Sequence, residues 1–280
     1  MIIDGKKEAL FIRENIKNEI ELIKKKMNKV PGLTVILIGN FPPSEIYVRN
    51  KEKASKEVGI KSNIIRYSDN VSEQEILRKI QDLNKDDDVS GILVQLPLPN
   101  QINKEKIINL IDPSKDVDGF NPINVGNLSS GYKGIIPCTP LGCLLLLKKV
   151  ESNLSGKHAV IIGRSNLNGK PMAQLLLKEN CTVTITHSKT NNLKEECLKA
   201  DILIASAGVA KLVKKDWVKK GSIVIDVGIN KEGEKIVGDV DFNEVKDKVK
   251  AITPVPGGVG PMTIACLLKN TLDCFKARLT

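Results

Sequence analysis

Apolar residues in this chain recur at two alternating periods. Ala9, Ile12, Ile16, Ile20 and Ile23 fall three or four residues apart, which predicts an amphipathic helix over 5–27. GLTVILIGN (32–40) is a continuous apolar run and predicts a buried strand. Helical spacing returns from Ser44, in SEIYVRNKEKASKEVGI. KSNIIRYS (61–68) predicts a second strand, SEQEILRKIQDL (72–83) a second helix, and VSGILVQL (89–96) a third strand. KEKIINLI (104–111) predicts a short helix. TPLGCLLLLKKV (139–150) predicts another, with Thr139 as its N-cap and Pro140 in its first helical position.

The alternation restarts after SNLSGK (152–157), the best candidate for a domain boundary. HAVIIG, TVTITH, ADILIASAG and GSIVIDVG predict strands, and GKPMAQLLLKEN a helix. A last helix is expected from Pro261 to about Arg278, with Ile264, Leu267, Leu268, Thr271 and Phe275 on one face. It follows a long loop and is expected to pack back on the first domain. Strands alternating with helices imply an α/β protein with a parallel, doubly wound sheet.

Composition narrows the function classes. The chain has 280 residues, 41% of them hydrophobic, enough for one large or two modest domains with full cores. Its net charge is +10, but lysines are spread along it and no basic block interleaves with aromatics. That argues against nucleic acid and suits small, multiply anionic ligands. The six cysteines form no CxxC pair and there are two histidines, so buried, reduced cysteines and no metal site are expected. The N-terminus has no leader-like apolar run, and no segment approaches the roughly 20 apolar residues of a membrane helix. No membrane association and a cytoplasmic location are the expectation.

The second half carries a candidate dinucleotide site. HAVIIGRSNLNGKP (158–171) reads as strand, glycine turn and helix start, with Gly163, Arg164, Ser165 and Gly169, although it lacks GxGxxG. A helix N-terminus presents backbone N–H groups to phosphate. An NAD site places a carboxylate about 20 residues on, at the end of the next strand. Here that strand ends in His187, Ser188 and Lys189, with no acid. Arg164 and the Ser188 hydroxyl would welcome a 2′-phosphate, which favours NADP. The bland alternative is a glycine kept for its turn and an exposed loop after the strand.

In the first half, Tyr47 and Lys51 lie four residues apart and share one helix face. Aromatics are only 3% of the chain, so this pairing draws notice; on spacing alone Lys51 reads equally as a surface charge beside Arg49, Lys53 and Lys56. GILVQLPLP places Gln95 at the carboxyl end of a strand, where open α/β sheets bind ligands. In KDVDGFNP, either Asp116 or Asp118 could shape a turn and leave the other free. TPVPGGVGPMT (253–263) has three prolines and three glycines besides apolar residues, which suits a backbone-lined loop better than a polar linker.

Together YVRNK, VQLPLP, KDVDGF, PCTPLG, GRS and PVPGGVGPMT resemble the bifunctional methylenetetrahydrofolate dehydrogenase/methenyltetrahydrofolate cyclohydrolase family, in its order and over nearly the whole chain. The resemblance implies oxidation of 5,10-methylenetetrahydrofolate with NADP, then hydrolysis to 10-formyltetrahydrofolate. It implies Lys51 as the catalytic lysine, assisted by Gln95, with Tyr47 against the pterin and Asp118 on its amino-pyrimidine edge. Val94 and Leu96 would complete that side of the folate site, with Pro256, Gly257, Gly258, Gly260 and Thr263 from the glycine-proline loop. Gly163, Arg164, Ser165, Ser188 and Ile229 would contact NADP. The implied organisation is an N-terminal αβα catalytic domain (1–145 with 262–280) and a Rossmann-like NADP-binding domain (146–261), in a cytosolic homodimer pairing through the nucleotide-binding halves. Leu167-Asn168 departs from the apolar Ile-Val usual before the second glycine of the turn. A two-domain dehydrogenase for a small acid, of the shikimate type, would share the second half but would not require VQLPLP or the PGGVGPMT loop.

Overall fold

The computed structural model describes residues 1–279. Its contacts form two compact units. The first comprises residues 10–127, 132–138 and the chain from Ile264 onward; the second comprises residues 1–9, 128–131 and 139–263.

In the first unit, α1 (Gly5–Met27) buries Ile16 and Ile20 and is followed by β1 (Gly32–Ile38), α2 (Pro42–Val58) and β2 (Lys61–Tyr67). Then come α3 (Glu73–Lys85), β3 (Gly91–Val94), α4 (Lys104–Leu110) and α5 (Pro122–Ser129). The three strands are parallel, in the order β2-β1-β3. β1 is central and buried along its whole length, which is why it reads as unbroken apolar sequence. β2, at an edge, is only partly covered. α3 begins with a side-chain N-cap: the Ser72 hydroxyl accepts from the Glu75 N–H at 3.2 Å, and Ile76, Ile80 and Leu83 turn inward. A parallel bridge between Ile92 and Asp116 lays the KDVDGF segment beside β3.

The second unit takes up most of α6 (Cys138–Val150), then β4 (His158–Ile162), α7 (Gly169–Lys178), β5 (Thr182–Thr186), α8 (Leu193–Leu198) and β6 (Ile202–Ala205). A short 3₁₀ turn (Lys215–Trp217) precedes β7 (Ile223–Asp226). The antiparallel hairpin β8 (Asn230–Glu232) and β9 (Lys235–Val237), α9 (Phe242–Val245) and β10 (Ala251–Ile252) complete it. The five-stranded sheet is parallel throughout, in the order β10-β7-β6-β4-β5. Chain order therefore reverses between β4 and β6, the switch point where doubly wound sheets bind ligands. The last helix, α10 (Val259–Ala277), contributes its residues from Ile264 onward to the first unit, as its apolar face predicts.

Several expected boundaries move. α2 starts at Pro42 rather than Ser44, since prolines in a first turn lose no helical hydrogen bond. β1 ends at Ile38 rather than residue 40. α6 starts at Cys138, so Thr139 lies inside the first turn and is not the N-cap; its hydroxyl is 2.9 Å from that of Thr263. α10 starts at Val259, with Pro261 in its first turn. α8, α9, the hairpin and β10 lie outside the expected pattern because they are too short to show a period, and α5 because PINVGNLS lacks an amphipathic repeat.

Candidate active site

Lys51 projects from α2 and donates from Nζ to Gln95 Oε1 at 2.9 Å. The amide is itself held. Its Nε2 donates to the Leu96 carbonyl at 2.8 Å, and the Gln95 backbone N–H continues the sheet to Ile36 O at 2.9 Å. Gln95 therefore presents only its carbonyl to the lysine. Tyr47 stands one turn before Lys51 and is 40% exposed, so its ring is open to a ligand.

Asp118 completes the group, and its neighbour explains why. Asp116 is buried and fully used in shaping the turn: Oδ1 accepts from the Gly119 N–H at 3.1 Å, and Oδ2 from the Asn121 N–H at 2.8 Å and the Asn124 amide at 3.0 Å. Lys115, also buried, ties the same segment to the end of α3 by donating to Leu83 O at 2.8 Å and Asp86 O at 2.7 Å. That arrangement leaves the Asp118 carboxylate available. Burial pushes it up to about 6, opposed by the charge of Lys51 and reinforced by that of Asp116. Burial likewise raises Asp116 itself, against the hydrogen bonds it accepts. Val94, Leu96 and Phe120 line a small apolar cavity on which Asp118 and Asp116 supply the acids. Val94 itself is buried, whereas Leu96 is partly open.

The expected cofactor residues gather at strand ends of the second unit. Gly163 follows β4 with φ +123°, and a Cβ there would lie 2.3 Å from the Ser206 carbonyl oxygen after β6. Only glycine lets these two backbones approach so closely at the switch point. Arg164 and Ser165 are exposed just beyond it. The Gly163 N–H donates to Thr186 O at 2.8 Å, joining this turn to the end of β5, where Ser188 is exposed. Ile229, after β7, is 54% exposed. A bare glycine turn, a helix start, a guanidinium and hydroxyls, with no acid in residues 187–190, make a donor set that fits NADP. Asn168 precedes α7 with no side-chain cap bond, and its backbone N–H donates to the Ser165 hydroxyl at 3.1 Å.

The loop before α10 is tightly built. Gly257 O accepts from the Lys6 N–H at 3.1 Å, and Thr263 meets Thr139 as described. Pro256, Gly257, Gly258, Gly260 and Thr263 all belong to the second unit, whereas Tyr47, Lys51, Val94, Gln95, Leu96 and Asp118 belong to the first. Lys115, Asp226 and Asp239 were not foreseen as organisers of the two sites, whereas Asp116 was foreseen only as one of two candidates for shaping a turn. Asp226, at the end of β7, is pushed up to about 7 by burial against three backbone hydrogen bonds.

A parallel sheet with an amine, an amide and a carboxylate at its strand ends, together with a dinucleotide-type switch point, defines a two-unit nucleotide-dependent α/β enzyme. Family comparison specifies which. The catalytic domain described as "Tetrahydrofolate dehydrogenase/cyclohydrolase, catalytic domain" matches residues 3–118, and the corresponding NAD(P)-binding domain matches residues 137–279. The chain belongs to the tetrahydrofolate dehydrogenase/cyclohydrolase family. It is 67% identical over 276 residues to the bifunctional protein FolD of Pelagibacter ubique, covering 99% of this chain and 98% of that protein. The crystal structure of the bifunctional FolD enzyme of Campylobacter jejuni superposes with a TM-score of 0.97 at 51% identity, covering 99% of each chain. The Trypanosoma brucei dehydrogenase-cyclohydrolase, solved with NADP and an inhibitor, gives 0.96 at 36% identity, covering 100% of this chain and 98% of that one.

Proposed function

We propose that Lys51, Gln95, Asp118 and Tyr47 form the folate site of this bifunctional enzyme, and that Gly163, Arg164, Ser165, Ser188 and Ile229 hold its NADP. The enzyme oxidises 5,10-methylenetetrahydrofolate to the methenyl form and hydrolyses that to 10-formyltetrahydrofolate. The bond between Lys51 Nζ and Gln95 Oε1, at strand carboxyl ends, carries the residue assignment.

NADP, when bound, supplies the hydride acceptor for the first reaction. That step needs no protein proton shuttle, so the chain's task there is to hold and orient the folate. Asp118 accepts the adjacent N–H and NH₂ of the amino-pyrimidine edge as a fork, and Tyr47 covers the ring. In the second reaction water adds to the methenyl carbon and gives up one proton; the ring C–N bond then breaks as the remaining hydroxyl becomes the formyl carbonyl, its proton passing to the freed nitrogen. The Lys51 amine takes the proton from water. The Gln95 carbonyl, which accepts from Nζ, orients it. Val94 and Leu96 shape the apolar side of the site.

We assign residues 1–145 and 262–280 to the folate half and 146–261 to the NADP half. The two compact units divide near those points, at 138/139 and 263/264, residues 1–9 and 128–131 aside. A single assay tests the activity: NADPH and methenyl absorbance are followed together, with NAD⁺ as comparator. Methenyl absorbance is expected to rise transiently and then decay, with NADP⁺ preferred. NADPH formation with no decay of the methenyl signal would reject the second activity.

The enzyme is further proposed to be a cytoplasmic homodimer paired through its NADP half. β5 is an edge strand with Ile185 41% exposed, and Leu177 on α7 is 57% exposed. An unpaired, partly apolar edge invites a second copy of itself. Sedimentation is expected to give twice the chain mass, shifting toward one chain mass in Ile185→Lys; a monomeric wild type would reject the pairing. The product's formyl group suits purine biosynthesis, and the folate one-carbon pool suits methionine and histidine biosynthesis.

A further inference from the structure

Two buried aspartates tie together the loops that follow β6 and β7. Asp239 is fully buried. Its Oδ2 accepts from the backbone N–H of Ala207 at 2.6 Å and of Gly208 at 2.9 Å. Its Oδ1 accepts from the Val209 N–H at 3.0 Å and from Asn230 Nδ2 at 2.8 Å. Three successive backbone N–H groups converging on one anion make a nest, and here the protein's own carboxylate fills it.

Asp226 makes the reciprocal clasp. Its Oδ1 accepts from the N–H groups of Gly228 at 3.0 Å and Asp239 at 2.9 Å, and its Oδ2 from Val240 at 2.9 Å. The strands of this clasp cross at close quarters. A Cβ on Gly228 would lie 2.2 Å from Asp239 Oδ1, and one on Gly238 would lie 1.8 Å from Asp226 Oδ2. Burying carboxylates is costly unless every oxygen is satisfied, and apolar residues would fill the same volume without that cost. The arrangement therefore calls for a reason beyond packing.

The placement supplies one. The loop that Asp239 grips begins at Ser206, whose carbonyl oxygen would lie 2.3 Å from a Cβ on Gly163 in the phosphate turn. The other group it grips, Asn230, directly follows Ile229. One carboxylate thus fixes both the floor of the turn at the β4/β6 switch point and the segment bearing Ile229. We propose that Asp239 is a positioning residue for NADP, holding Ala207–Val209 and Ile229–Asn230 in a single frame. The inference rests on the NADP site assigned above. Both Asp239 oxygens are occupied by the protein, so it acts through the backbone it holds.

Asp239→Asn tests this, because whichever way the new amide turns, its NH₂ faces at least one N–H donor. Direct titration with NADP is expected to show affinity weakened by about tenfold or more, the loss of one or more hydrogen bonds to a charged group. Cyclohydrolase activity on methenyltetrahydrofolate, which uses no NADP, is expected to stay at the wild-type level. Exchanging the pair (Asp239→Asn with Asn230→Asp) restores donor to acceptor between the two side chains and is expected to recover much of the NADP affinity. Unaltered NADP affinity in folded Asp239→Asn overturns the proposal. So does parallel loss of affinity and cyclohydrolase activity with no recovery in the exchange, since that marks general loosening. Should Asp239→Asn not fold, Asn230→Ala removes one of the four bonds and is expected to weaken NADP binding a few-fold; no weakening overturns the proposal. A wild-type chain that binds no NADP would overturn the site assignment as well, whereas variants matching an NADP-binding wild type overturn this inference alone.

Discussion

Lys51→Met is expected to lower cyclohydrolase turnover by about 10²–10⁴-fold, the usual contribution of a positioned general base. Methionine keeps the unbranched stem that packs along α2 and removes only the amine. The dehydrogenase reaction is expected to fall far less, because hydride transfer asks the chain for orientation and not for a base. The split between the two activities is therefore the informative quantity. Decay of methenyl absorbance reads the second step, and NADPH appearance reads the first. A mutant that hydrolyses methenyltetrahydrofolate at near wild-type rate would remove Lys51 from the mechanism, and with it the meaning given to its 2.9 Å bond with Gln95.

The pairing of Tyr47 with Lys51 was legible because helical spacing is a local property: four residues in sequence fix one face. Gln95 was legible for a related reason. A buried parallel strand reads as an apolar run, and a polar residue at its carboxyl end lies where such sheets bind ligands. Which of Asp116 and Asp118 shapes the turn was not legible in the spacing of the residues. That choice is made by Gly119, whose N–H takes Oδ1 of Asp116, and by Asn121 and Asn124, which both donate to Oδ2. The roles of Lys115 and Asp239 were hidden for the same physical reason. Lys115 reaches back 29 and 32 residues to the end of α3, and Asp239 reaches back about as far to the loop after β6. Periodicity reports which face of an element is buried; it does not report which distant carbonyls or N–H groups that face will meet. Between residues 190 and 252, β6 and β7 show as apolar runs, whereas α8, α9, the hairpin and β10 escaped because they repeat no period even twice.

At pH 7.5, Asp118→Ala is expected to raise the KM for methylenetetrahydrofolate by about 10–10²-fold, the value of one or two charge-assisted hydrogen bonds. kcat should change less, since the contact is made equally in the bound substrate and the transition state. The pH profile gives a sharper signature. The Asp118 carboxyl, ordinarily near 3.8, is pushed up to about 6 by burial. As pH falls through about 6 it takes up a proton and loses the anionic fork, so wild-type KM is expected to rise there while the alanine variant stays flat. The same displacement has the opposite sign for stability. A carboxyl whose folded value lies above its unfolded value binds its proton more tightly when folded, so its contribution is complete below about 4 and is lost as pH rises through about 6. Asp118→Asn should thus resist urea better than wild type at pH 7.5, by something on the order of 2 kcal/mol once partial solvent access is allowed for, and the gain should vanish toward pH 4. With the proposed Asp118 contact, ligand binding and stability pull against each other at this residue: ionisation would serve the pterin, and burial makes it costly to the fold. A wild-type KM that is constant from pH 5 to 7.5, together with an Asn variant no more stable than wild type, would separate Asp118 from the substrate.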